Sequence, residues 1–134
     1  MDTLFTRIIK GEIPCYKIAE NDRYFAFLDI SPLAKGHTLV VPKEQNDYIF
    51  ALDDETVAGM MVFAKKVALA IQENIPCQRI GVAVIGLEVP HAHIHLVPIS
   101  KEGDLNFTNP RCKLSEEEFR ETAQKIAASV KLLA

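Results

Sequence analysis

The spacing of apolar residues along the chain alternates between the period of a helix and the period of a strand. Between residues 4 and 9 apolar residues recur at helical spacing and stop before Gly11, which predicts a short N-terminal helix. A longer helical pattern begins after Asp53, which is placed to cap it, and ends before Pro76. Its predicted buried side contains Val57, Met60, Ala64, Val67, Ala68 and Ile71.

A third helix is predicted near the C-terminus. Ser115 and Glu118 have the spacing of a capping box, in which each side chain binds the backbone N–H of the other. The apolar stripe that follows consists of Phe119, Ala123, Ile126, Ala127 and Val130. We therefore expect one domain over residues 1–134, with residues 100–134 as a C-terminal tail that contains this helix.

Two segments in the first third of the chain have the alternation of strands. The stretch "RYFAFLD" follows a turn at Asn21 and Asp22. It is predicted to direct Tyr24, Ala26 and Leu28 to one face and Phe25, Phe27 and Asp29 to the other. After the loop "SPLAKG", "HTLVVP" predicts a strand that starts at His37 and is stopped by Pro42.

The run from Arg79 to Gly86 is almost continuously apolar and β-branched, which is typical of a strand in the middle of a sheet. A further strand is predicted from Val89 to Pro98, because prolines bracket that segment. Two long strands so close in sequence predict a hairpin at the centre of an antiparallel sheet. Together with the helices, this pattern favours an α+β fold.

The last of these strands contains three of the four histidines of the chain, in the stretch "VPHAHIHLVPIS". Alternation directs His91, His93, His95 and Val97 to one face and Ala92, Ile94 and Leu96 to the other. We expect the apolar face to join the core. The histidine face must find polar partners, because each buried imidazole without one would cost about 1–3 kcal/mol.

Composition narrows the possible functions. Of the 134 residues, 49% are hydrophobic and 25% are charged, which is ordinary for a globular domain. The formal net charge is −3 and no long basic run occurs, so we expect no binding to nucleic acid or to a membrane surface. Cys15, Cys77 and Cys112 form no paired motif, and the N-terminus has no signal-like apolar segment, which together predict reduced thiols in the cytoplasm.

Three interpretations of the histidine strand are open on the residues alone. The histidines could be satisfied structural groups, or they could bind zinc, for which Glu88 is the nearest carboxylate in sequence. They could also perform nucleophilic and acid–base catalysis, since a neutral imidazole can attack phosphorus and a protonated one can stabilise an anion. For His37 the residues alone favour a surface histidine at a strand start, and for Asp29 a turn aspartate.

The stretch "HAHIHLV" resembles the signature of the histidine triad (HIT) superfamily. The segment "IIKGEIPCYKIAENDRYFAFLDISPLAKGHTLVVPKE" is similar to the N-terminal half of that family. The resemblance implies a five-stranded antiparallel sheet with one long helix packed on it, a short N-terminal helix and a C-terminal helix. It also implies a homodimer and a small-molecule nucleotide substrate, with no cofactor.

The resemblance implies a hydrolase or nucleotidyl transferase that cleaves a phosphoramidate or phosphoanhydride bond at the α-phosphorus, with a purine nucleotide as the expected substrate. In this interpretation His93 is the nucleophile, His95 and His37 surround the phosphate, and His91 orients or polarises it. Asp29 would bind the ribose hydroxyls. The nucleobase would pack among Leu4, Phe5, Ile8, Ile13, Phe27 and Ile30, and Glu88 and Val89 would complete the nucleotide site.

The sequence departs from the family in two places. Many bacterial relatives begin with a CxxC motif that helps to hold zinc, whereas the matching residues here are Thr3 and Thr6, so we expect no metal. Before the triad the family usually has a glutamine, whereas this chain has Leu87, which cannot donate a hydrogen bond. An alternative function is therefore a nucleotide-binding regulator with weak or vestigial hydrolase activity.

Overall fold

The structure is a computed structural model that describes residues 1–133. It contains three α-helices, which are α1 (Leu4–Ile9), α2 (Asp54–Asn74) and α3 (Glu116–Leu133). It contains five strands, which are β1 (Lys17–Glu20), β2 (Tyr24–Leu28), β3 (Thr38–Pro42), β4 (Arg79–Ala83) and β5 (Ile94–Ile99). Two short 3₁₀ turns lie at Ile49–Ala51 and Glu102–Asp104.

The five strands form one antiparallel sheet in the order β1-β2-β3-β5-β4. This confirms the predicted α+β class with a five-stranded antiparallel sheet. The capping predictions hold as well: the Asp53 side chain accepts from the Thr56 N–H at 2.7 Å. Ser115 Oγ accepts from the Glu118 N–H at 3.1 Å, and the Glu118 carboxylate accepts from the Ser115 N–H at 3.2 Å.

The position predicted for the strand that begins at Arg79 is wrong. It pairs antiparallel with β5 as expected, but it lies at the edge of the sheet and ends at Ala83 rather than Gly86. Val82 remains 47% exposed, so apolar composition alone did not indicate a buried central strand. A β-branched run suits any pleated surface, including an edge that a partner could cover.

The bounds predicted for the histidine strand are also wrong. Regular pairing begins at Ile94 rather than Val89, and it continues past Pro98 to Ile99. Pro98 is tolerated because β3 pairs only with residues 94–96, so nothing on that side needs the missing N–H of the proline. His91 and His93 therefore belong to the segment that leads into β5.

Alternation gives the sheet two different faces. Tyr24, Ala26 and Leu28 of β2 pack with α2 and α3 in the larger buried cluster, in which Met60, Val67 and Ile71 are fully enclosed. On the other face Phe25 and Phe27 pack with Phe5 and Ile8 of α1 and with Leu39 and Val41 of β3. The predicted division of β2 into two faces is thus confirmed. The short helix α1 covers only part of its face of the sheet.

Within residues 1–133 no helix combines the length and apolarity needed to cross a bilayer. The three cysteines are free thiols, with Cys112 exposed and Cys15 and Cys77 half-buried.

Candidate active site

A cavity of about 590 Å³ opens on the face of the sheet that α1 covers. Most of the residues predicted at the nucleotide site line it: Leu4, Phe5, Ile8, Ile13, Phe27, Asp29, Ile30, Glu88, Val89, His93 and His95. His37 and His91 lie behind this lining, and both rings are fully buried. The structure therefore brings the predicted residues together and divides the histidines into a pair that lines the cavity and a pair that supports it from behind.

One end of the cavity is apolar and aromatic. The Phe5 and Phe27 rings meet edge to face with centroids 5.5 Å apart, and Phe5 meets the His93 ring in the same way at 5.0 Å. Edge-to-face contacts of this kind favour one ring orientation over others. The short helix α1 therefore both forms the apolar wall and holds the imidazole of His93 in place.

His93 is held by a backbone contact that determines its tautomer. Its Nδ1 lies 2.7 Å from the carbonyl oxygen of His91, and a carbonyl can only accept, so Nδ1 carries the hydrogen. The Nε2 atom is left with a free lone pair on a ring that lines the cavity. Burial lowers the pKa of His93, against the opposing effects of that hydrogen bond and of Asp29. The ring is therefore neutral at pH 7, as a nucleophile must be.

His91 does not face the cavity. Its Nε2 donates to the carbonyl of Pro42 at 2.8 Å, so its Nδ1 is unprotonated and accepts from the Thr3 hydroxyl at 2.8 Å. Thr3 Oγ1 in turn accepts from the Thr6 N–H and so caps α1, while the Thr6 hydroxyl donates to Gln45 Oε1 at 2.6 Å. Thr3 and Thr6 thus join α1 to the triad through hydrogen bonds.

His37 and His95 form a second chain of hydrogen bonds. The Leu33 N–H donates to His37 Nδ1 at 3.0 Å, so the hydrogen of His37 is on Nε2, which lies 3.0 Å from His95 Nδ1. His95 accepts there and carries its own hydrogen on Nε2. Because Nδ1 is occupied by His37, that N–H is the donor that remains for a ligand in the cavity. The alternative of a surface histidine at position 37 is wrong, since its side chain is fully buried.

Both rings of this pair are neutral near pH 7. Burial, together with the nearby His95 and Arg111, lowers the pKa of His37 to about 3. Burial, together with His93 and Arg111, lowers the pKa of His95 to about 4. The pair can therefore donate a hydrogen bond to a phosphate oxygen but holds no positive charge of its own at neutral pH.

Asp29 makes the turn contact expected of it and also lines the cavity. Its Oδ1 accepts from the Ser31 N–H at 2.8 Å, which is a turn contact, while its Oδ2 lies 3.5 Å from His37 Nε2. Burial raises the pKa of Asp29, although the Ser31 N–H and the charge of Arg111 act in the opposite direction. One carboxylate oxygen thus remains at the cavity wall, where a hydroxyl could donate to it.

Asp29, His37 and His95 are also the residues that could hold a metal ion, since their ligand atoms lie within 4.8 Å of one another. Glu88 was the only carboxylate predicted near the histidines, because Asp29 is distant along the chain. His37 and His95 already satisfy each other through a hydrogen bond, and within residues 1–133 every buried side-chain nitrogen and oxygen has a partner. A divalent ion would have to displace the hydrogen on His37 Nε2.

Two residues of the tail that lie at the site were not predicted from the sequence. Phe107 places its ring 4.6 Å from the ring of His95 and 6.1 Å from that of His37. Arg111 lines the cavity beside them. No periodicity marks this segment, so the only sequence signal was an aromatic and a basic residue in an otherwise polar stretch. The helix α3 itself packs against α2 and β1, away from the histidines, with Phe119 stacked on Tyr16 at 5.0 Å.

Proteins of related sequence are known. A sequence model of the HIT domain matches residues 10–102. The Schizosaccharomyces pombe protein named adenosine 5′-monophosphoramidase hnt1 is 37% identical over 133 residues, which cover 98% of this chain and 100% of that protein. An uncharacterized HIT-like protein from Borreliella burgdorferi is 33% identical over 96% of this chain and 99% of its own length.

Solved structures show the same relationship. A zinc-bound histidine triad family protein from Mycobacterium smegmatis superimposes with a TM-score of 0.85 at 29% identity, over 99% of this chain and 96% of that one. The fold and the arrangement of His91, His93 and His95 with His37 agree with the sequence match. The chain belongs to the HIT family.

Proposed function

We propose that the protein is a nucleotide hydrolase that cleaves the bond between the α-phosphorus of a purine nucleotide and its leaving group through a covalent intermediate on His93. The observation that carries the proposal is the free Nε2 lone pair of a neutral His93 ring in the wall of the cavity. Relatives from fission and budding yeast are named adenosine 5′-monophosphoramidases, which supports an adenosine phosphoramidate as the first substrate to test.

The reaction follows from the hydrogen positions. His93 Nε2 forms a bond to the α-phosphorus, while the bond to the leaving group breaks and its electron pair departs with the amine or phosphate, which takes up a proton. The His95 Nε2–H donates to a phosphoryl oxygen as negative charge grows there. Water then attacks phosphorus and loses a proton, and the Nε2–phosphorus bond breaks to release a nucleoside monophosphate.

The rest of the cavity binds the nucleoside in this proposal. Asp29 accepts from the ribose hydroxyls through the oxygen that the Ser31 turn leaves free. The base packs among Phe5, Ile8, Phe27 and Ile30, with Glu88 and Val89 at the rim. An apolar wall of this kind stacks a purine well without reading its edges, which supports a preference for purines but not a choice among them.

The test is steady-state hydrolysis of a fluorogenic adenosine phosphoramidate by untagged protein, beside His93→Ala. We expect turnover that persists with a chelator and falls by roughly 10⁴-fold in the variant, because the nucleophile itself is lost. Equal melting temperatures of the two proteins serve as the control for folding. Unchanged turnover in His93→Ala would refute the proposal, and loss of activity on chelation alone would support a metal at Asp29, His37 and His95 instead.

A second candidate function is a nucleotide-binding regulator with vestigial chemistry. The observation that favours it is Leu87, which stands at the cavity rim with its side chain 89% exposed and offers no hydrogen-bond donor there. This function predicts tight binding of AMP in calorimetry together with turnover no faster than the uncatalysed reaction. Turnover well above that background would eliminate it.

A homodimer is part of the same proposal. The solvent side of α2 carries exposed apolar residues, with Met61 at 48%, Val62 at 57% and Leu69 at 44%, and β4 next to it has a free edge. Two copies related by a two-fold axis could cover both surfaces at once. Light scattering at micromolar concentration should give a dimer mass for the wild type and a monomer mass for Val62→Glu with Leu69→Glu. A monomeric wild type would contradict the dimer.

A further inference from the structure

The tail crosses the open side of the histidine site and is fixed there at three points. The Cys112 N–H donates to the carbonyl of Pro32 at 2.8 Å, and Arg111 Nη1 donates to the carbonyl of Ser31 at 2.7 Å. The third point is Phe107, whose ring packs at 4.6 Å from that of His95. The family model ends at residue 102, so this segment lies outside it, although the fission yeast relative aligns with 98% of this chain.

Arg111 is held by neutral groups only. Its guanidinium donates to the carbonyls of Ser31 and Phe107 and lies 5.6 Å from the centroid of the Phe107 ring. Within residues 1–133 it takes part in no salt bridge. A guanidinium has five N–H donors in a planar fork, so most of them remain free for a ligand, and its positive charge is not neutralised by a carboxylate in contact.

The cavity has little other positive charge to offer a polyanion. Among the described residues that line it, Arg111 is the single lysine or arginine, whereas Asp29 and Glu88 are acidic. His37 and His95 are neutral at pH 7, because their pKa values are lowered, mainly by burial. Arg111 is therefore the positive charge available to a substrate that has more than one phosphate.

We propose that Arg111, supported by Phe107, forms a subsite for a second phosphate of the substrate, namely the phosphate of the leaving group attached to the α-phosphorus. The segment packs on His95, which lies at the phosphate end of the cavity, away from the apolar wall of α1. The substrate class this favours is a nucleotide joined through a phosphoanhydride to a second phosphorylated group. This inference rests on the proposed function, since it specifies the leaving group for the same reaction.

A second phosphate could also be attached to the ribose, because Arg111 contacts Ser31, two residues beyond the predicted ribose ligand Asp29. Binding measurements separate these sources without any turnover. The ligands are AMP, α,β-methylene-ADP, which cannot lose its terminal phosphate by cleavage at the bridge, and adenosine 3′,5′-bisphosphate. The proteins are the wild type, Arg111→Gln, Arg111→Lys and the matched control Lys113→Gln, which removes an equal charge from the same exposed segment.

In calorimetry the wild type should bind α,β-methylene-ADP more tightly than AMP. Arg111→Gln should reduce that ratio by about tenfold, as expected for the loss of hydrogen bonds to a charged group. Arg111→Lys should keep part of the ratio and Lys113→Gln all of it. Raising the salt concentration should weaken the preference of the wild type, because the guanidinium is exposed.

Three results would overturn the inference. Arg111→Gln could leave both affinities unchanged, or it could weaken AMP and α,β-methylene-ADP by the same factor, which would keep their ratio and indicate a contact to the α-phosphate or a structural role. It could instead reduce only the preference for adenosine 3′,5′-bisphosphate, which would place the second phosphate on the ribose. Melting temperatures of all four proteins show whether the tail stays folded.

Turnover provides the second arm. For a dinucleoside polyphosphate, Arg111→Gln should lower kcat/KM by about tenfold, mainly through KM if the contact is equally strong in the bound substrate and the transition state. For an adenosine phosphoramidate, whose leaving group has no phosphate, the same variant should lower kcat/KM by a clearly smaller factor, since only the α-phosphate is then present. If the wild type cleaves neither substrate, the proposed function fails while the binding ratios still test the subsite.

Discussion

The two faces of the sheet differ in what fills them. Under α2 and α3 lies a continuous apolar cluster, with Met60, Ile71 and Ile126 fully enclosed. Under α1 the apolar cluster is smaller, and beside it four histidines are buried, each satisfied by named hydrogen bonds or facing the cavity. The face under α2 and α3, the helix-covered face, thus stabilises the fold through buried area. The face under α1, the site face, holds its groups through specific polar contacts.

We therefore expect that stability and chemistry can be changed separately in this chain. Removing methyl groups from the helix-covered face should lower the free energy of unfolding and leave turnover alone. Changing a contact on the site face should act through hydrogen positions or protonation. Three experiments test that separation.

The largest effect is expected from Ile71→Ala on the helix-covered face. Ile71 has no exposed surface, so its truncation leaves a cavity and should lower the free energy of unfolding by about 2–5 kcal/mol. Urea unfolding measures the loss, and kcat of the remaining folded protein should not change. The matched control is Ile30→Ala at the cavity rim, where the side chain is 73% exposed. Equal destabilisation by the two changes would contradict the proposed difference between the two faces.

The second effect concerns acid. Folding lowers the pKa of His37 to about 3 and that of His95 to about 4 from the ordinary value of 6.5, mainly through burial. Below pH 6.5 the unfolded chain therefore binds protons that the folded chain does not bind. The contribution of these two histidines to the free energy of unfolding is present above pH 6.5 and is lost as the pH falls. Between pH 6.5 and 5.5 the two groups together should cost about 2 kcal/mol.

Urea unfolding at several pH values measures this slope, and His37→Asn should make it shallower by removing one of the two groups. The window lies above the ordinary range in which carboxylates titrate, and the raised pKa of Asp29 acts in the opposite direction, so a loss of stability there comes from the histidines. A wild type whose stability is the same at pH 6.5 and pH 5.5 would contradict the assignment of neutral, buried imidazoles to the site face.

The smallest effect is expected from Thr3→Val. The change removes the cap of α1 and the donor to His91 Nδ1 while keeping the shape of the side chain, and we expect a loss of about 1–2 kcal/mol. Thr3→Ser keeps the hydroxyl and should retain most of the stability. If serine is as damaging as valine, the methyl group rather than the hydrogen bond holds α1 to the triad.

Much of this arrangement was predictable from residues close in sequence. The alternation in β2 correctly divided Tyr24, Ala26 and Leu28 from the aromatic residues, and the capping residues correctly marked the starts of α2 and α3. Edge position was not predictable for β4, because period and composition report what a strand can pack against rather than how many neighbours it has.

The supporting contacts of the site were not predictable for a different reason. Thr3 meets His91 across 88 positions, and Arg111 reaches the carbonyl of Ser31 across 80 positions. Neither contact leaves a periodic trace in the sequence. Such contacts depend on how separate elements assemble, which local spacing does not encode.

Three of the four imidazoles take their tautomers from the main chain. His93 is fixed by the carbonyl of His91, His91 by the carbonyl of Pro42 and His37 by the N–H of Leu33. Substitution of a side chain does not delete a carbonyl, and only proline deletes an N–H. Substitutions in the surrounding walls can therefore change which ligand the cavity accepts without altering the hydrogen positions of these three imidazoles.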